Sequence, residues 1–425
     1  MERILQVIKR FIPKNLFSLG QPIYHYLLSL ASALFYGFPS RDIYVIGVTG
    51  TKGKTSTVEL VNAILEEIGK KTALASTLRF KIGDKTTPNL RKMTMPGRFF
   101  TQRFLRKAVR AGCGYAIIEM TSEGTKQFRH KFISLDALIF TNLSPEHIES
   151  HGSYEKYVSA KLKIAKALSS SRKKNRIIVV NRDDKEGAKF LQVHVPYKFT
   201  YSLDEAKPFK SGDRQSTFTF GNKKILLRLP GVFNIYNALA AATFAKGINI
   251  PEEHIVQALE RFGGIRGRME YIDEGQPFDC IVDYAHTADS LEKVYKTLEK
   301  SPLVCVLGGT GGGRDARKRK TMGSIADTYC EHIILTNEDP YDEDPRNIIG
   351  NIAEGIQNKE YKIIMDRRQA IARACSLAKE GATVIITGKG TDPYIMGAKG
   401  NKLPWDDAQV AREEITKIKK TSTHS

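Results

Sequence analysis

The chain has 425 residues, 41% of them hydrophobic, and no low-complexity tract. These values exclude a disordered or fibrous protein and predict two or three domains with ample cores. The formal net charge of +20 suits a nucleic acid, an anionic membrane surface or a polyphosphate substrate, although general solubility explains it equally well.

The cysteines and the apolar runs bear on the cellular compartment. The five cysteines are odd in number and lie scattered in mostly apolar runs, which indicates a reducing cytosol rather than a disulfide scaffold or a zinc site. The apolar run at residues 26–38 is shorter than the roughly 20 residues that cross a bilayer. No small-residue cleavage site follows the basic start. We therefore expect a cytoplasmic protein without a transmembrane segment.

Residues 1–42 form the first predicted segment. Apolar residues recur at helical spacing in residues 4–11 and again in residues 26–30, and Pro39 and Ser40 close the segment. The pattern predicts one or two amphipathic helices. The segment is too short for an independent nucleotide-binding domain, so we expect it to pack against the domain that follows.

A strand, a glycine loop and a helix follow one another from Ile43 onward. The apolar run breaks into glycines, then Gly53-Lys54-Thr55 precedes a helical pattern, a layout typical of a phosphate-binding loop. Gly50 and Gly53 allow backbone N–H groups to surround an anion at the positive end of the helix. Lys54 is expected to neutralise β- and γ-phosphates, and the Thr55 hydroxyl to bind Mg²⁺. The alternative is a glycine-rich turn that binds nothing.

Strands and helices alternate through residues 43–262. The predicted strands are continuous apolar runs, which are typical of a buried, mostly parallel sheet with helices on both faces. Ligands of such sheets bind at the carboxyl ends of the strands. Here those ends carry the glycine loop, Glu119, Asn142 and the polar residues 181–184. A hairpin is predicted at residues 216–229, with its turn at Gly221.

The strand–helix rhythm restarts in residues 263–425 and predicts a second open α/β domain, similar in rhythm to a Rossmann unit. Its loops also end in glycines and charged residues, at 308–315 and at 388–392. Two such domains facing each other are expected to form a cleft.

The glycine loop resembles that of the Mur ligases, whose unusual glycine spacing it shares, although Lys52 stands where that family usually has asparagine. The resemblance runs through residues 43–412 and is closest to the MurE-type UDP-N-acetylmuramoyl-tripeptide synthetases. The other matching stretches occur in one order, at residues 141–147 with 151–152, 157–161, 229–239, 267–270, 283–287, 314–315 with 318–319, and 388–390.

The resemblance implies a central P-loop ATPase-type domain, a C-terminal Rossmann-like domain and an ATP- and Mg²⁺-dependent amide ligase. In such a ligase the acceptor's carboxylate attacks the γ-phosphate, and the amine of an amino acid then displaces phosphate from the acyl phosphate. Because a carboxylate and a triphosphate repel each other, the site needs cations to screen and align them. The expected partners are small molecules and no nucleic acid, with the chain as a monomer.

The resemblance also implies roles for individual residues. Four residues match catalytic positions, namely Lys54, Glu119, His147 and Lys161. Metal contacts are implied for Thr55, Glu119, His147 and Lys161, the last in carbamylated form. Nucleotide contacts are implied for Gly50, Thr51, Lys52, Gly53, Lys54, Thr55, Ser56, Asn234, Asn237, Arg268 and Asp283. Substrate contacts are implied for Thr94, Met95, Pro96, Gln102, His286, Arg314, Asp339, Pro340, Gly388 and Asp392.

Several of these residues also have a purely structural interpretation. Glu119 is then a helix cap or a surface group, His147 a satisfied structural histidine, and Lys161 a solvated lysine on a helix. Asn234 is then an N-cap, and Arg268 forms a surface ion pair. Residues 338–340 then form an acidic strand-to-helix turn.

Two features depart from the family pattern. Only about 42 residues precede the glycine loop, where the family normally has a complete uridine-binding domain. The diaminopimelate-specific enzymes carry Asp-Asn-Pro-Arg, whose arginine grips the distal carboxylate, whereas this chain has Glu338-Asp339-Pro340-Tyr341. An acidic lining suits an amine at the distal end, so lysine is at least as plausible a substrate as diaminopimelate.

Two other functions compete with this interpretation. A folylpolyglutamate synthase-like ligase shares the two α/β domains and lacks the uridine-binding domain. A basic P-loop ATPase that works on nucleic acid is the other alternative, but no aromatic-basic RNA motif supports it.

Overall fold

The computed structural model describes residues 14–145, 151–313 and 316–422, and they divide into two compact units. The first unit comprises the described residues up to Lys207 with Thr219–Lys223 and Tyr236–Leu259. The second comprises Pro208–Phe218, Lys224–Ile235 and the described residues from Glu260 onward. The division into segments 1–42, 43–262 and 263–425 stays a prediction.

An eight-stranded sheet forms the centre of the first unit. Its strands are β1 (Tyr44–Thr49), β2 (Thr72–Ala75), β3 (Arg79–Ile82), β4 (Lys85–Pro88), β5 (Tyr115–Glu119), β6 (Ala137–Phe140), β7 (Ile177–Asn181) and β8 (Tyr197–Tyr201). The order is β4-β3-β2-β5-β1-β6-β7-β8, and neighbouring strands are parallel except at β2–β3 and β3–β4, because β3 runs antiparallel to the others. β1 pairs with β5 and β6, so the glycine loop and Glu119 leave the sheet at adjacent strand ends.

Helices cover this sheet, and their apolar faces complete one core around buried residues of β1, β5 and β6. They are α1 (Lys14–Phe35), α2 (Lys54–Glu67), α3 (Arg98–Arg110), α4 (Ser122–Lys126), α5 (Tyr154–Ser169) and α6 (Gly187–Leu191). The predicted N-terminal helix corresponds to α1, which packs against α3; residues 1–13 of that prediction lie outside the described residues. No described helix is both long enough and apolar enough to span a membrane.

Two helices and a small sheet follow in the chain. The helices are α7 (Val232–Gly247) and α8 (Glu252–Arg261), and the sheet contains β9 (Lys210–Ser211), β10 (Ser216–Phe220) and β11 (Lys223–Leu227) in the order β11-β10-β9. The turn between β10 and β11 contains Gly221 at φ +58°, as the predicted hairpin requires.

The second unit has a six-stranded sheet with a buried core on each face. Its strands are β12 (Glu270–Tyr271), β13 (Asp279–Val282), β14 (Leu303–Leu307), β15 (His332–Leu335), β16 (Tyr361–Ile363) and β17 (Thr383–Ile386), in the order β12-β13-β17-β14-β15-β16. The helices are α9 (Ala288–Leu298), α10 (Arg317–Tyr329), α11 (Pro345–Ala353), α12 (Arg367–Leu377) and α13 (Asp407–Ser422). A separate hairpin pairs β18 (Tyr394–Met396) with β19 (Lys402–Pro404).

The cysteines differ from expectation at one place. The sequence indicated reduced thiols, but a disulfide joins Cys305, on β14, to Cys330, which follows α10. The prediction is wrong there because the two cysteines, 25 residues apart in sequence, become neighbours only when α10 packs on the sheet. Cys113, Cys280 and Cys375 are free and buried.

A buried ion pair fixes α12 and α13 in the second unit. Arg367 donates from Nε to Asp407 Oδ1 at 2.8 Å and from Nη2 to Asp407 Oδ2 at 2.7 Å, and both side chains are at most 1% exposed. Nη2 also donates to the Thr387 carbonyl at 2.8 Å. Breaking such a pair leaves a buried charge without its partner.

We expect Asp407→Asn to lower the free energy of unfolding of the second unit by about 3–5 kcal/mol, measured by urea denaturation. Glu413→Gln is the matched control, because Glu413 pairs with the neighbouring Arg368 at the surface and its loss should have no measurable effect. Equal midpoints for the two variants would contradict the assigned role of the buried pair.

Candidate active site

Two positions of the glycine loop between β1 and α2 accommodate only glycine. Gly53 adopts φ +79° immediately before the helix, and a Cβ there would collide with the Asn237 side chain. Gly50 adopts φ +152°, and a Cβ there would collide with the Thr141 hydroxyl. The loop therefore brings backbone close to neighbouring groups at the start of α2, as a phosphate cradle requires. Thr55 and Ser56 are buried in the first turn of α2.

The end of β6 holds the loop in place. Asn142 accepts from the Lys52 backbone N–H at 2.9 Å and donates to the Lys52 carbonyl at 3.1 Å. The Thr141 hydroxyl also donates to the Lys52 carbonyl, at 2.7 Å, and the Thr51 N–H donates to the Asn142 carbonyl at 2.8 Å. The backbone of Thr51 and Lys52 is thus fixed without a ligand, which makes the loop a pre-organised site.

Two lysines converge on the Gly50 carbonyl. Lys54 Nζ donates to it at 2.9 Å and to the Thr51 carbonyl at 2.8 Å. Lys161 Nζ donates to the same Gly50 oxygen at 2.7 Å, and this side chain is only 2% exposed. Lys161 is therefore buried beneath the loop and is not a solvated helix lysine. Two ammonium groups on one carbonyl repel each other, so the site favours an anion.

Tyr157 supports this arrangement, and the His151 ring lies beside it with 5.3 Å between the ring centroids; neither residue was among the predicted site residues. The Tyr157 hydroxyl lies 2.9 Å from Thr51 Oγ1, and its ring centroid lies 5.1 Å from Lys161 Nζ. His151 Nε2 lies 3.1 Å from Ser122 Oγ, and burial lowers the pKa of His151. His147, the predicted metal ligand, lies outside the described residues.

Glu119, at the end of β5, is fully buried. Thr77 holds both of its oxygens, with the backbone N–H donating to Oε1 and the hydroxyl donating to Oε2, each at 2.9 Å. Thr94 Oγ1 lies 2.9 Å from the Thr77 hydroxyl. Because the Thr77 proton is directed to the carboxylate, Thr94 donates to Thr77. Glu119 is therefore neither a surface group nor a helix cap, and it is linked to the predicted acceptor segment.

The rest of that segment is packed into the protein. The Met95 side chain is 2% exposed and lies against Gly124, and its carbonyl accepts from Arg129. Pro96 is buried before α3. Gln102, on α3, is also buried and donates to the Phe132 carbonyl at 3.3 Å. Among the residues of the predicted acceptor segment, Thr94 is therefore the one that is linked to Glu119, through the Thr77 hydroxyl.

The two predicted asparagines of α7 make different contacts. The Asn237 side chain packs against Gly53, and both residues belong to the first unit. Asn234 lies inside the helix, and its Nδ2 donates to the Pro230 carbonyl at 2.8 Å. The N-cap interpretation of Asn234 is therefore wrong.

The loop after β13 in the second unit is organised by Asp283. Its Oδ2 accepts from the Met269 N–H at 2.8 Å and its Oδ1 from the Ala285 N–H at 2.7 Å. Arg268 lies 4.1 Å from the centroid of the Tyr284 ring, a cation–π contact. His286 Nδ1 lies 2.8 Å from the Tyr284 carbonyl.

A buried ion pair joins two predicted substrate loops of the second unit. Asp339 Oδ1 accepts from Lys389 Nζ at 2.8 Å and from the Met396 N–H at 2.7 Å. Lys389 is fully buried and also donates to the Tyr394 carbonyl at 2.6 Å. The Asp392 carboxylate lies 3.6 Å from Lys389 Nζ. The loop at 338–340 is therefore part of a connected polar cluster rather than a plain acidic turn.

Glu338 belongs to the same cluster, although it was not among the predicted site residues. Its Oε1 accepts from the Thr310 hydroxyl at 2.8 Å, while Oε2 is buried and has no hydrogen-bond partner among the described residues. A Cβ at Gly388 (φ +104°) would collide with Oε2. Burial raises the pKa of Glu338, against the opposing charges of Arg367 and Lys389. Arg314 lies outside the described residues, and Pro340 is buried.

Two family models match this chain. The Mur ligase middle domain matches residues 48–245, and the Mur ligase glutamate ligase domain matches residues 267–390. The UDP-N-acetylmuramoyl-L-alanyl-D-glutamate–2,6-diaminopimelate ligase of Syntrophomonas wolfei is 36% identical over 401 residues, which are 91% of this chain and 81% of that protein. The chain belongs to the Mur ligase family. It is therefore an ATP-dependent, ADP-forming ligase.

Other relatives of this Mur ligase agree with the assignment. The UDP-N-acetylmuramyl-tripeptide synthetase of Roseiflexus is 36% identical over 420 residues, covering 92% of this chain and 82% of that protein. A solved structure of a UDP-N-acetylmuramoyl-L-alanyl-D-glutamate–2,6-diaminopimelate ligase is 28% identical, with a TM-score of 0.61, over 89% of this chain and 79% of that one.

A Mycobacterium tuberculosis folylpolyglutamate synthase structure shares the fold of this Mur ligase. Its TM-score is 0.68 at 15% identity, over 88% of this chain and 96% of that one. The predicted α/β architecture, with a P-loop domain and a Rossmann-like domain, is confirmed by these structures.

Proposed function

We propose that this Mur ligase joins an amino acid of the lysine or diaminopimelate type to the glutamyl carboxylate of UDP-N-acetylmuramoyl-L-alanyl-D-glutamate. The names of the relatives support this substrate. The main observation behind the proposal is the chain of hydrogen bonds from Thr94 through the Thr77 hydroxyl to the Glu119 carboxylate. It links a buried carboxylate beside the phosphate loop to the segment expected to bind the acceptor.

The chemistry is an attack of one anion on another. The acceptor carboxylate oxygen bonds to the γ-phosphorus of ATP while the bond to the β–γ bridging oxygen breaks, giving an acyl phosphate and ADP. The amine of the amino acid then bonds to the acyl carbon, and phosphate leaves. Lys54 lowers the repulsion between the reacting anions, because its ammonium group lies at the Gly50 and Thr51 carbonyls of the loop.

A divalent cation fits the donor set beside this loop. Glu119 is a buried carboxylate with both oxygens oriented by Thr77, and the Thr55 hydroxyl lies in the first turn of α2. We assign Thr55 and Glu119 as Mg²⁺ ligands, with His147 and a carbamylated Lys161 as further candidates. Bound Mg²⁺ supplies positive charge that stabilises the transferring phosphoryl group.

The nucleotide and the amino acid have separate candidate contacts. We assign residues 50–56 and Asn237 to the phosphate side of ATP, and Asn234, Arg268 and Asp283 to its base and ribose. In the second unit, we assign the loops at 338–340 and 388–392 to the amino acid, with Asp392 as the candidate contact for its ammonium group, whereas the Asp339 carboxylate accepts from Lys389. We place the reaction in the cytoplasm, with the chain acting as a monomer.

The decisive experiment measures phosphate release with ATP, Mg²⁺ and UDP-N-acetylmuramoyl-L-alanyl-D-glutamate across a panel of amino acids. We expect turnover with lysine or meso-diaminopimelate, and a fall of at least about 10²-fold in Lys54→Ala because its charge stabilises the transition state. Lys85→Ala, at an exposed lysine of β4, is the control. Turnover with a folate and glutamate, but not with the muramoyl dipeptide, would establish the folylpolyglutamate alternative instead.

Thr77→Val tests the chain of hydrogen bonds from Thr94 to Glu119. The substitution keeps the side-chain shape and removes the hydroxyl that orients Glu119. We expect the Mg²⁺ concentration for half-maximal activity to rise about 10–100-fold. Thr87→Val, on the exposed strand β4, should leave it unchanged. An unaltered Mg²⁺ dependence in Thr77→Val would show that Thr77 does not position a metal ligand.

Carbamylation of Lys161 is testable without turnover. We expect ¹³C-labelled bicarbonate to give a carbamate signal by NMR that disappears in Lys161→Gln and persists in Lys163→Gln, which removes an exposed lysine of the same helix. A wild-type spectrum without that signal, recorded with Mg²⁺ and nucleotide present, would mean that Lys161 acts as an unmodified cation.

A further inference from the structure

The helix α1 exposes an uncharged apolar face. Residues 15–40 contain no Asp, Glu, Lys or Arg. Ile23, Leu27, Leu34 and Phe35 are 64%, 56%, 61% and 75% exposed. At 100° per residue these four positions fall within an arc of about 120° on the helix. Four large apolar side chains on one side of a helix form a contiguous patch, which soluble surfaces rarely leave uncovered.

The opposite face of α1 is committed to the first unit. Ser29 and Ser32 are buried there, and the Ser29 hydroxyl donates to the Phe128 carbonyl at 2.9 Å. The Tyr26 ring contacts the rings of Phe128 and Phe132. The orientation of the helix is therefore fixed by packing, and the apolar arc faces away from those contacts.

Basic residues of α3 continue this patch. The Phe35 ring lies 6.3 Å from the ring of Phe99 on α3. Arg103 and Arg110 follow Phe99 by four and eleven residues, so all three share one side of α3, and both arginines are exposed. The helix α3 contains no acidic residue. We name Ile23, Leu27, Leu34, Phe35, Phe99, Arg103 and Arg110 the α1–α3 surface.

The charge pattern selects among possible occupants. A second copy of the chain in a two-fold dimer would bury Arg103 and Arg110 of both copies in one interface, and the α1–α3 surface has no carboxylate to pair with them, which like-charge repulsion disfavours. A nucleic acid would gain nothing from the uncharged apolar arc. An anionic bilayer matches both the apolar arc and the arginines, because its acyl region can bury the apolar side chains and its headgroups can pair with arginine.

We propose that the α1–α3 surface binds the surface of an anionic lipid membrane. Ile23, Leu27, Leu34 and Phe35 enter the boundary between headgroups and acyl chains, and Arg103 and Arg110 pair with lipid phosphates. Association is peripheral, since no described helix can span a bilayer. The sequence ahead of the helix has Arg3, Lys9 and Arg10 against one acidic residue, Glu2, and this net positive charge increases the attraction to anionic lipid. The net charge of +20 acts in the same direction.

Vesicle co-sedimentation tests this surface. We expect the full chain to bind vesicles of equal parts phosphatidylcholine and phosphatidylglycerol, and to bind phosphatidylcholine vesicles at least about tenfold more weakly because the electrostatic attraction is missing. The double variant Leu27→Glu/Leu34→Glu should lose the binding to anionic vesicles, since it places charges in the apolar arc. Leu403→Glu is the matched control, because Leu403 is 55% exposed in the second unit, and it should bind like the wild type.

A second pair of variants tests the charge contribution. Arg103→Gln/Arg110→Gln should weaken binding to anionic vesicles and reduce its sensitivity to salt. Circular dichroism and thermal unfolding verify that each variant is folded, and these measurements do not depend on the ligase assignment. Failure of the ligase reaction would leave the vesicle result standing, and the reverse also holds.

Three outcomes would overturn the proposal. The first is absence of binding to the anionic vesicles, or binding that the Leu27→Glu/Leu34→Glu variant retains. The second is a wild-type dimer in solution that this variant converts to a monomer, which would assign the surface to a second copy. The third is a full chain that does not bind and a chain starting at Lys14 that does, which would mean that residues 1–13 occupy the surface in the full chain.

Discussion

The Gly50 carbonyl, which accepts hydrogen bonds from both Lys54 and Lys161, is the constraint on which the first unit depends. Two cations reach one point only because α2 begins at the glycine loop while α5 crosses beneath it. The Thr51 and Lys52 backbone is in turn fixed by Asn142. The fold thus holds the two ammonium groups together in the absence of a ligand. A site that is pre-organised in this way lowers a reaction barrier, because its charges need not rearrange during the reaction.

The parallel register of β1, β5 and β6 brings the other parts of the site to this point. Val48 pairs with Glu119, so the carboxylate emerges one strand from the glycine loop. β2 ends at Ala75, two residues before Thr77, and this early end frees the Thr77 backbone N–H for Glu119 rather than for a neighbouring strand. The carboxyl ends of neighbouring strands therefore carry the glycine loop, a metal-ligand candidate and the link to Thr94.

Local patterns predicted the parts of the molecule whose structure is set by nearby residues. Strands such as β1, β5, β7 and β14 match continuous apolar runs, and the Gly-Lys-Thr motif located the start of α2. Local patterns could not predict the contacts of Thr77, Asn142, Tyr157 and Glu338, because their hydrogen-bond partners lie between 28 and 106 residues away in the sequence. The residue types gave no signal, since a threonine after a strand is ordinary.

The polar cluster of the second unit bears on which amino acid is used. Relative to the family motif Asp-Asn-Pro-Arg, this chain gains a carboxylate at Asp339 and loses a cation at Tyr341, a change of two charges toward negative. Asp339 is balanced by the buried Lys389, so that carboxylate does not itself recognise a substrate. The loss of the arginine is not balanced by the described contacts of Tyr341, whose backbone N–H donates to the Met396 carbonyl. A distal carboxylate therefore lacks the cation that the family motif provides. This balance favours lysine over diaminopimelate within the proposed reaction.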